Sequence, residues 1–508
     1  MLTVTHIIGI LFTIAILLAV SLFSGRKVKD DKSFTTGGKS GSWMVCGAIL
    51  GTLVGGQSTI GTAQLAFSFG LSAWWFTIGA ALGALVLGVV YAAPLRRSGC
   101  STLMEVVRQQ YGRRAETLGS ILFLVGIFIS ITSQLLSSSA MITSLFGISL
   151  GSALAIGAVL IAALVFFGGI RSAGSGGIVK LVLLYICSLT AGIVVWRLGD
   201  GLAGIRNSIA AIYDSPQLAA INDIAGAEDI HRRYGTFLAR GPLKDIGGCL
   251  SLTLGVVSTQ TYAQAIWSAA TTRKARRGAV YCAALIPLIG AACTLVGMYM
   301  RGHYVTADEA AALQQAGEAI PAGVGVLENS LQAFPTFIMA HLPAWIGGVA
   351  LGALLINILG CGSGLVLGAA TILTRDVYGN LMTLLHRTPR MKPLAQTRMS
   401  ILLLLLLGVV AAHFVRGSFI NDLGFLSLGL RAAVLLLSLS FALWLPGRFS
   451  SGAVTASMIA ATVAMLAASF LNLPADPMYY GLALSALVLL TGLRKKALHW
   501  IIKSPWNR

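Results

Sequence analysis

Apolar residues fall along this chain in long blocks separated by short polar or charged turns, with little of the strict alternation that marks a strand. A helix needs about 20 apolar residues to cross a bilayer, whereas a barrel strand needs about ten that alternate. The blocks have the helical length. Thirteen spans can be drawn, at 5–24, 43–69, 72–95, 118–146, 150–169, 178–198, 245–268, 279–300, 344–373, 397–415, 422–445, 452–472 and 476–493. The pattern predicts an all-α integral membrane protein.

Two of these spans break the pattern at their centres. The first contains Gly51-Thr-Leu-Val-Gly-Gly-Gln-Ser-Thr-Ile-Gly61, glycines and hydroxyl or amide side chains where a lipid-spanning helix is normally most regular. The bilayer interior offers no water to a broken backbone, so such a break survives only against protein or a solvent-filled cavity. Five spans later comes Gly247-Gly-Cys-Leu-Ser-Leu-Thr-Leu-Gly-Val-Val-Ser-Thr-Gln-Thr-Tyr-Ala-Gln264, which enters from the opposite face. Paired interruptions in corresponding places point to a midplane site between inverted repeats. The expected organisation is a first helix and loop at 1–41, repeats at 42–198 and 245–446 flanking an outer loop at 199–244, and two further helices with a tail at 447–508.

Composition agrees: 56% of the 508 residues are hydrophobic and only 10% are charged, far from a soluble balance. The net charge of +19 would suggest nucleic acid in a soluble chain. Here the cations sit in short loops, as Arg26, Lys27, Lys29 and Lys32, then Arg96, Arg97, Arg108, Arg113 and Arg114, then Arg171, then Arg273, Lys274, Arg276 and Arg277, then Arg375, Arg387, Arg390 and Lys392, then Arg494, Lys495 and Lys496. The positive-inside rule makes those loops cytoplasmic, which puts the amino terminus outside and the carboxyl terminus in the cytoplasm of an inner or plasma membrane. The partners expected are the lipid bilayer and a small solute, with no nucleic acid and an undefined oligomeric state. Segments 199–244 and 301–343 become outer loops, placed to wall or cover a vestibule. The seven cysteines are scattered through apolar segments, without disulfide or metal spacing. The first span follows no basic region and leads into no small-residue cleavage pattern, so it reads as a retained helix. Gly38-Lys-Ser40 lacks a phosphate loop's upstream glycine, and Gly360-Cys-Gly-Ser-Gly364 is not a nucleophile elbow. Neither an enzyme nor a bound cofactor is expected.

Local motifs then appear in a fixed order. Ser33-Phe-Thr-Thr-Gly-Gly-Lys39 precedes the first broken helix and Gly61 to Gly70 closes it; Thr102-Leu-Met-Glu105 runs on to Tyr111-Gly112; Gly168-Gly-Ile-Arg171 leads into a later span; Gln260 and Gln264 precede Ala269 and Ala275-Arg-Arg-Gly278; Thr374-Arg-Asp-Val-Tyr378 ends another. Taken together, over nearly the whole length, these resemble the sodium:solute symporter family. The resemblance implies a leucine-transporter-like fold of five plus five core helices, with one helix before and two after, and alternating-access solute transport. It also implies a Na⁺ site made from backbone carbonyls of the first broken helix, at Gly51 and Val54, and a hydroxyl pair on the eighth core helix. That pair falls on Gly360 and Cys361. Glycine has no side chain and a thiol is a soft ligand, whereas Na⁺ wants oxygen; Ser363 lies one turn further on. The family's Thr-Asp on the fifth core helix corresponds to Gly176-Gly177, and its Gln three residues on to Lys180. Two readings of Lys180 stay open: it stands in for the ion, making transport sodium-independent or proton-coupled, or it extends to the membrane interface.

The resemblance also associates Gln57 and Ser58 with solute contact, and Thr259, Gln260 and Gln264 form the facing group; the alternative for each is bonding between helices. Asn357, Ser133 and Gln134 read as packing groups. Arg431, roughly nine residues into its span, is a buried cation that needs a partner or a cavity. It either binds a solute carboxylate or locks a gate against Asp422 or a carbonyl. A cation-coupled transporter for a small polar or anionic solute is expected. A sensor on the same fold and a channel are the competing readings.

Overall fold

The computed structural model describes residues 3–25, 40–100, 102–168, 176–379, 382, 393–415 and 417–493. The motif Ser33 to Lys39, most of Gly168 to Arg171, and the cations of the 26–32, 387–392 and 494–496 clusters lie outside the described residues. The helices that build the bundle are α1 (Val4–Gly25), α2 (Ser42–Leu53), α3 (Thr62–Phe69), α4 (Trp75–Val86), α5 (Leu103–Tyr111), α6 (Arg113–Phe146), α7 (Leu150–Ala163), α8 (Gly176–Leu198), α9 (Pro242–Val257), α10 (Gln260–Ser268), α11 (Thr272–Arg301), α12 (Ala344–Ile372), α13 (Pro393–Phe414), α14 (Ile420–Trp444), α15 (Ser451–Phe470) and α16 (Pro477–Thr491). Within the described residues the stretches drawn as spans are built of helix, interrupted at 54–56 and 258–259. Eight of the helical runs are long and apolar enough on their own to cross a membrane, and α1, α2, α7 and α16 contribute shorter apolar segments.

The helices pack as two halves that can be exchanged. In the first half α2 and α3 lie against α11, and in the second α9 lies against α4; α6 meets α14 as α12 meets α8; α2 meets α8 as α9 meets α14; α6 meets α7 as α12 meets α13; α6 meets α13 as α12 meets α7. The contacts α4 to α11 and α6 to α12 map onto themselves. Swapping α2/α3, α4, α6, α7 and α8 for α9/α10, α11, α12, α13 and α14 therefore reproduces the packing, which is what an inverted repeat requires. The fold class read from the sequence is the one observed. Burial follows position: in α14 78% of the apolar window is enclosed, in α13 only 28%, and Leu402, Leu403, Leu406, Leu407 and Val410 of α13 stand exposed on its outer side.

Several helices switch locally to the wider π spacing, at Gln57–Gly61, Leu87–Tyr91, Leu164–Gly168 and Leu373–Gly379. Such insertions shift the register of the following turn and collect at functional places.

Two lids cover one end of the bundle. The first consists of short helices at Gly201–Ile212, Pro216–Ile221 and Ala227–Gly235. The second holds a helix at Ala307–Gln315, another at Ala333–His341, and a two-stranded parallel sheet pairing Tyr304 with Gly325, Val305 with Val326 and Thr306 with Leu327. Arg301, 1% exposed, ties them together. Its Nη1 donates to Glu309 Oε2 at 2.8 Å, and its Nε and Nη2 donate to Tyr213 Oη at 3.1 and 2.8 Å. Asn222 donates to Glu309 Oε1 at 2.9 Å. Burial alone raises the Glu309 pKa, but the Arg301 charge and the hydrogen bonds from Arg301, Thr306 and Asn222 outweigh it and bring the carboxyl below its ordinary 4.5. The first lid touches the broken helix at Gly70, where φ is +54° and a Cβ would lie 2.3 Å from the Tyr234 carbonyl oxygen. Only glycine fits there.

Candidate functional site

The first broken helix stops because Val54 takes an extended conformation, φ −90° and ψ 97°, directly after α2. Its amide still donates to the Leu50 carbonyl at 2.8 Å, and the chain then turns through Gly55 and Gly56 into Gln57–Gly61. The break frees carbonyls at one end and amides at the other. Gly56 N donates to Gln134 Oε1 at 3.2 Å, Ser58 Oγ to the Leu53 carbonyl at 3.2 Å, and Thr59 Oγ1 to the Gly55 carbonyl at 3.0 Å. On the other helix end, Asn357 Nδ2 donates to the Val54 carbonyl at 2.6 Å. Cys361 Sγ lies 3.4 Å from both the Gly51 and the Val54 carbonyl oxygens. The approach of Cys361 depends on Gly55, because a Cβ there would sit 2.9 Å from the sulfur. The Gly51 and Val54 carbonyls thus converge on α12, where the resemblance puts a cation's second wall. Ser363 does not complete that wall: its hydroxyl donates back to the Gly360 carbonyl at 2.8 Å. The side chain of Lys180 lies outside the described residues.

The second break is smaller. Ser258 and Thr259 leave helical geometry between α9 and α10, with Thr259 at φ −102° and ψ 126°. Arg431, 2% exposed, reaches this point from the middle of α14. Its Nη1 donates to Thr259 Oγ1 at 3.3 Å, and its Nη2 donates to Ser427 Oγ at 2.7 Å and to Ser130 Oγ. Its Nε is buried without a partner, and among the described residues no carboxylate lies within 4.0 Å of it. A guanidinium enclosed by hydroxyls alone keeps its charge uncompensated in a low-dielectric interior.

The remaining candidates separate. Gln57, 7% exposed, donates to Ser133 Oγ at 2.6 Å and lines the interface of the first break with α6. Gln260 accepts from the Leu103 amide at 2.8 Å, at the start of α5 and away from Arg431. Gln264, one turn further along the same face of α10, is exposed. The lock between Arg431 and Asp422 does not form. Asp422 accepts from Arg240 Nη1 at 2.6 Å, two turns nearer the start of α14, while Asp245 accepts from Arg240 Nε at 2.8 Å. Arg240 stacks over Phe425 at 5.6 Å and Phe69 at 6.0 Å. Beside it opens a cavity of 320 Å³ lined by Lys244, Ser418, Asp422, Asn472 and Asp476 among others.

Sequence reasoning missed Arg240, which reads as one more solvated loop cation because Asp422, 182 residues away, meets it only in three dimensions. It also missed Ser130 and Ser427. For Ser427 a signal existed: it precedes Arg431 by four residues and so shares its helix face.

The sodium:solute symporter profile matches residues 34–460. The chain belongs to the sodium:solute symporter family. Among its relatives in the symporter family, the high-affinity choline transporter 1 of Caenorhabditis elegans is 22% identical, over 73% of this chain and 62% of its own length. That of Torpedo marmorata is 23% identical over the same shares, and the uncharacterized symporter YwcA of Bacillus subtilis (strain 168) is 23% identical over 73% of this chain and 67% of its own. The match thus spans less than two thirds of the choline transporters. A substrate-bound, outward-open Na⁺-coupled sialic acid symporter has the same fold, with a TM-score of 0.69 and 16% identity over 97% of each chain. The nucleobase-cation-symport-1 family transporter Mhp1 in a closed conformation follows, with a TM-score of 0.53 and 12% identity over 94% of this chain and 98% of its own.

Proposed function

We propose that this chain is a secondary transporter that moves a small organic anion by alternating access, coupled to a cation, with the solute held between the two helix breaks. Family membership and fold support the transport half of that reading. The names of the relatives do not choose a solute, since choline is a cation and sialic acid an anion. Arg431 chooses. A buried guanidinium at the N-cap of α10, bonded only to hydroxyls, adds to the positive end of a half-helix and leaves a place for one negative group. In this reading Gln57, now bonded to Ser133, and Ser58, now bonded to the Leu53 carbonyl, would turn to the solute from the first break, and Thr259 would provide a hydroxyl at the second. The halves 42–198 and 245–446 are the parts that move against each other. The positive-inside rule puts the amino terminus outside and the carboxyl terminus inside, and makes the face covered by the lids and the Arg240–Asp422 pair the outer one.

Reconstitution tests this. Vesicles containing the chain should show saturable uptake and counterflow of a labelled carboxylate solute, competed by other carboxylates and not by quaternary amines. Binding that saturates without counterflow would make the protein a sensor, and flux that never saturates would make it a channel. Either result would overturn the reading.

A further inference from the structure

We propose that the carbonyl cage at the first break is closed by a side-chain clasp, Asn357 with Cys361, so that Na⁺ does not occupy it; the clasp itself holds α12 to the broken helix. This rests on the transport reading only for its context, since the coupling cation then acts elsewhere or is a proton.

The geometry is specific. Three donor contacts fall on two carbonyl oxygens: Asn357 Nδ2 to Val54 at 2.6 Å, and Cys361 Sγ to Val54 and to Gly51 at 3.4 Å each. Val54 and Asn357 are both 0% exposed and Cys361 is 2% exposed, so water does not share the two bonds to the Val54 oxygen, while the contact to Gly51 is part-buried. Each contact points the positive end of an N–H or S–H dipole to the spot where a cation would sit. A hard cation needs several oxygens there. What the protein offers instead is a thiol, a glycine with no side chain at 360, and a Ser363 hydroxyl engaged with its own helix at 2.8 Å. Turning the Asn357 amide would not rescue the site. It would set Oδ1 against the Val54 oxygen at 2.6 Å, a length natural for a hydrogen bond and too short for two acceptors. As it stands, Oδ1 is buried without a hydrogen-bond partner among the described residues.

A residue at 55 larger than glycine would push the sulfur away, since its Cβ would approach within 2.9 Å. Gly55, Asn357 and Cys361 therefore form one unit. Replacing the thiol donor and restoring two hydroxyls should let the carbonyls meet a cation, with Asn357 left as the remaining donor on Val54.

The test uses the full chain purified in detergent, at constant ionic strength, with Na⁺ exchanged for K⁺. The double substitution Gly360→Ser with Cys361→Ser should gain a saturable Na⁺-specific rise in melting temperature of several degrees over wild type. Equal Na⁺ responses in the two proteins would overturn the clasp. Should the variant not fold, the wild-type chain suffices: alkylation of Cys361 by a small maleimide, read by peptide mass spectrometry, should proceed at the same rate in Na⁺ and K⁺. Na⁺-specific protection of that cysteine would overturn the proposal. Neither measurement uses transport, so failure of the clasp and failure of the transport reading, which counterflow decides, are separable.

Discussion

The two helix breaks occupy corresponding places in the two halves, yet they are chemically unlike. At the first, between α2 and α3, both freed carbonyls and freed amides meet uncharged partners: Asn357 and Cys361 on one side, Gln134 on the other. At the second, between α9 and α10, a full positive charge lies against three hydroxyls and no carboxylate among the described residues. Geometry relates the breaks by exchange of the halves, and electrostatics does not. One is finished by neighbouring side chains, and the other keeps an uncompensated charge, which the proposed solute would meet. A repeat fixes where backbone breaks fall, while single side chains decide what each break can bind.

The strongest way to break this contrast is Arg431→Met, which keeps length and removes charge. Solute uptake should fall by about a hundredfold or more, as expected when a buried charge loses its partner at a cost of about 2–5 kcal/mol. Folding stability should hold or rise, because a buried, unpaired cation is no asset and the Ser130–Ser427 bond at 2.6 Å remains. A large loss of stability with normal affinity would make Arg431 a structural lock. Next in size, Asn357→Ala should leave the Val54 carbonyl without its amide donor and destabilise the protein by about 1–3 kcal/mol in denaturant titration. No change there would mean that the first break is not completed by α12. Gln57→Ala should cost about 1 kcal/mol through loss of the Ser133 bond, and its effect on solute affinity should be smaller than that of Arg431→Met. If the order were reversed, the solute would be read by the first break.

The smallest effect is expected from mild acid, away from both breaks. The Glu309 carboxyl has a lowered pKa in the folded lids, so its contribution is complete above the ordinary 4.5 and is lost as pH falls through the lower folded value. Hydrogen exchange over residues 301–315 should therefore stay constant from about pH 7 to 5 after correction for intrinsic rates, and quicken only below the ordinary carboxylate range. Opening of the lids already at pH 6 would mean that a different group holds them.

The helices, the two breaks and the pairing of halves were legible in the sequence because each rests on local composition: apolar length for the spans, glycine and hydroxyl clusters for the interruptions. The contents of the site were less so. Cys361 reads as a lost cation ligand, and only its position 3.4 Å from two carbonyls turns it into a donor. Asn357 reads as a packing group because nothing local distinguishes an amide aimed at a neighbouring helix from one aimed at a broken backbone. The sequence offers Asp422 as one gate partner for Arg431, beside a carbonyl, whereas Arg240, 182 residues away, is the cation that holds it. The π segments left no trace at all, since one extra residue in a turn does not alter apolar content.

Exchange of the halves turns the bundle over, but the lids at one end have no counterpart among the described residues in that exchange. A bundle of this symmetry would by itself open to either side with similar ease. The network joining Arg301, Glu309, Tyr213 and Asn222 is made on one side only, and so adds its free energy to whichever conformer keeps that side shut. On the proposed alternating-access reading, the unloaded protein would then be a weighted population rather than an even one. A solute arriving from the lid side shifts that population only by the difference between its affinities for the open and shut conformers.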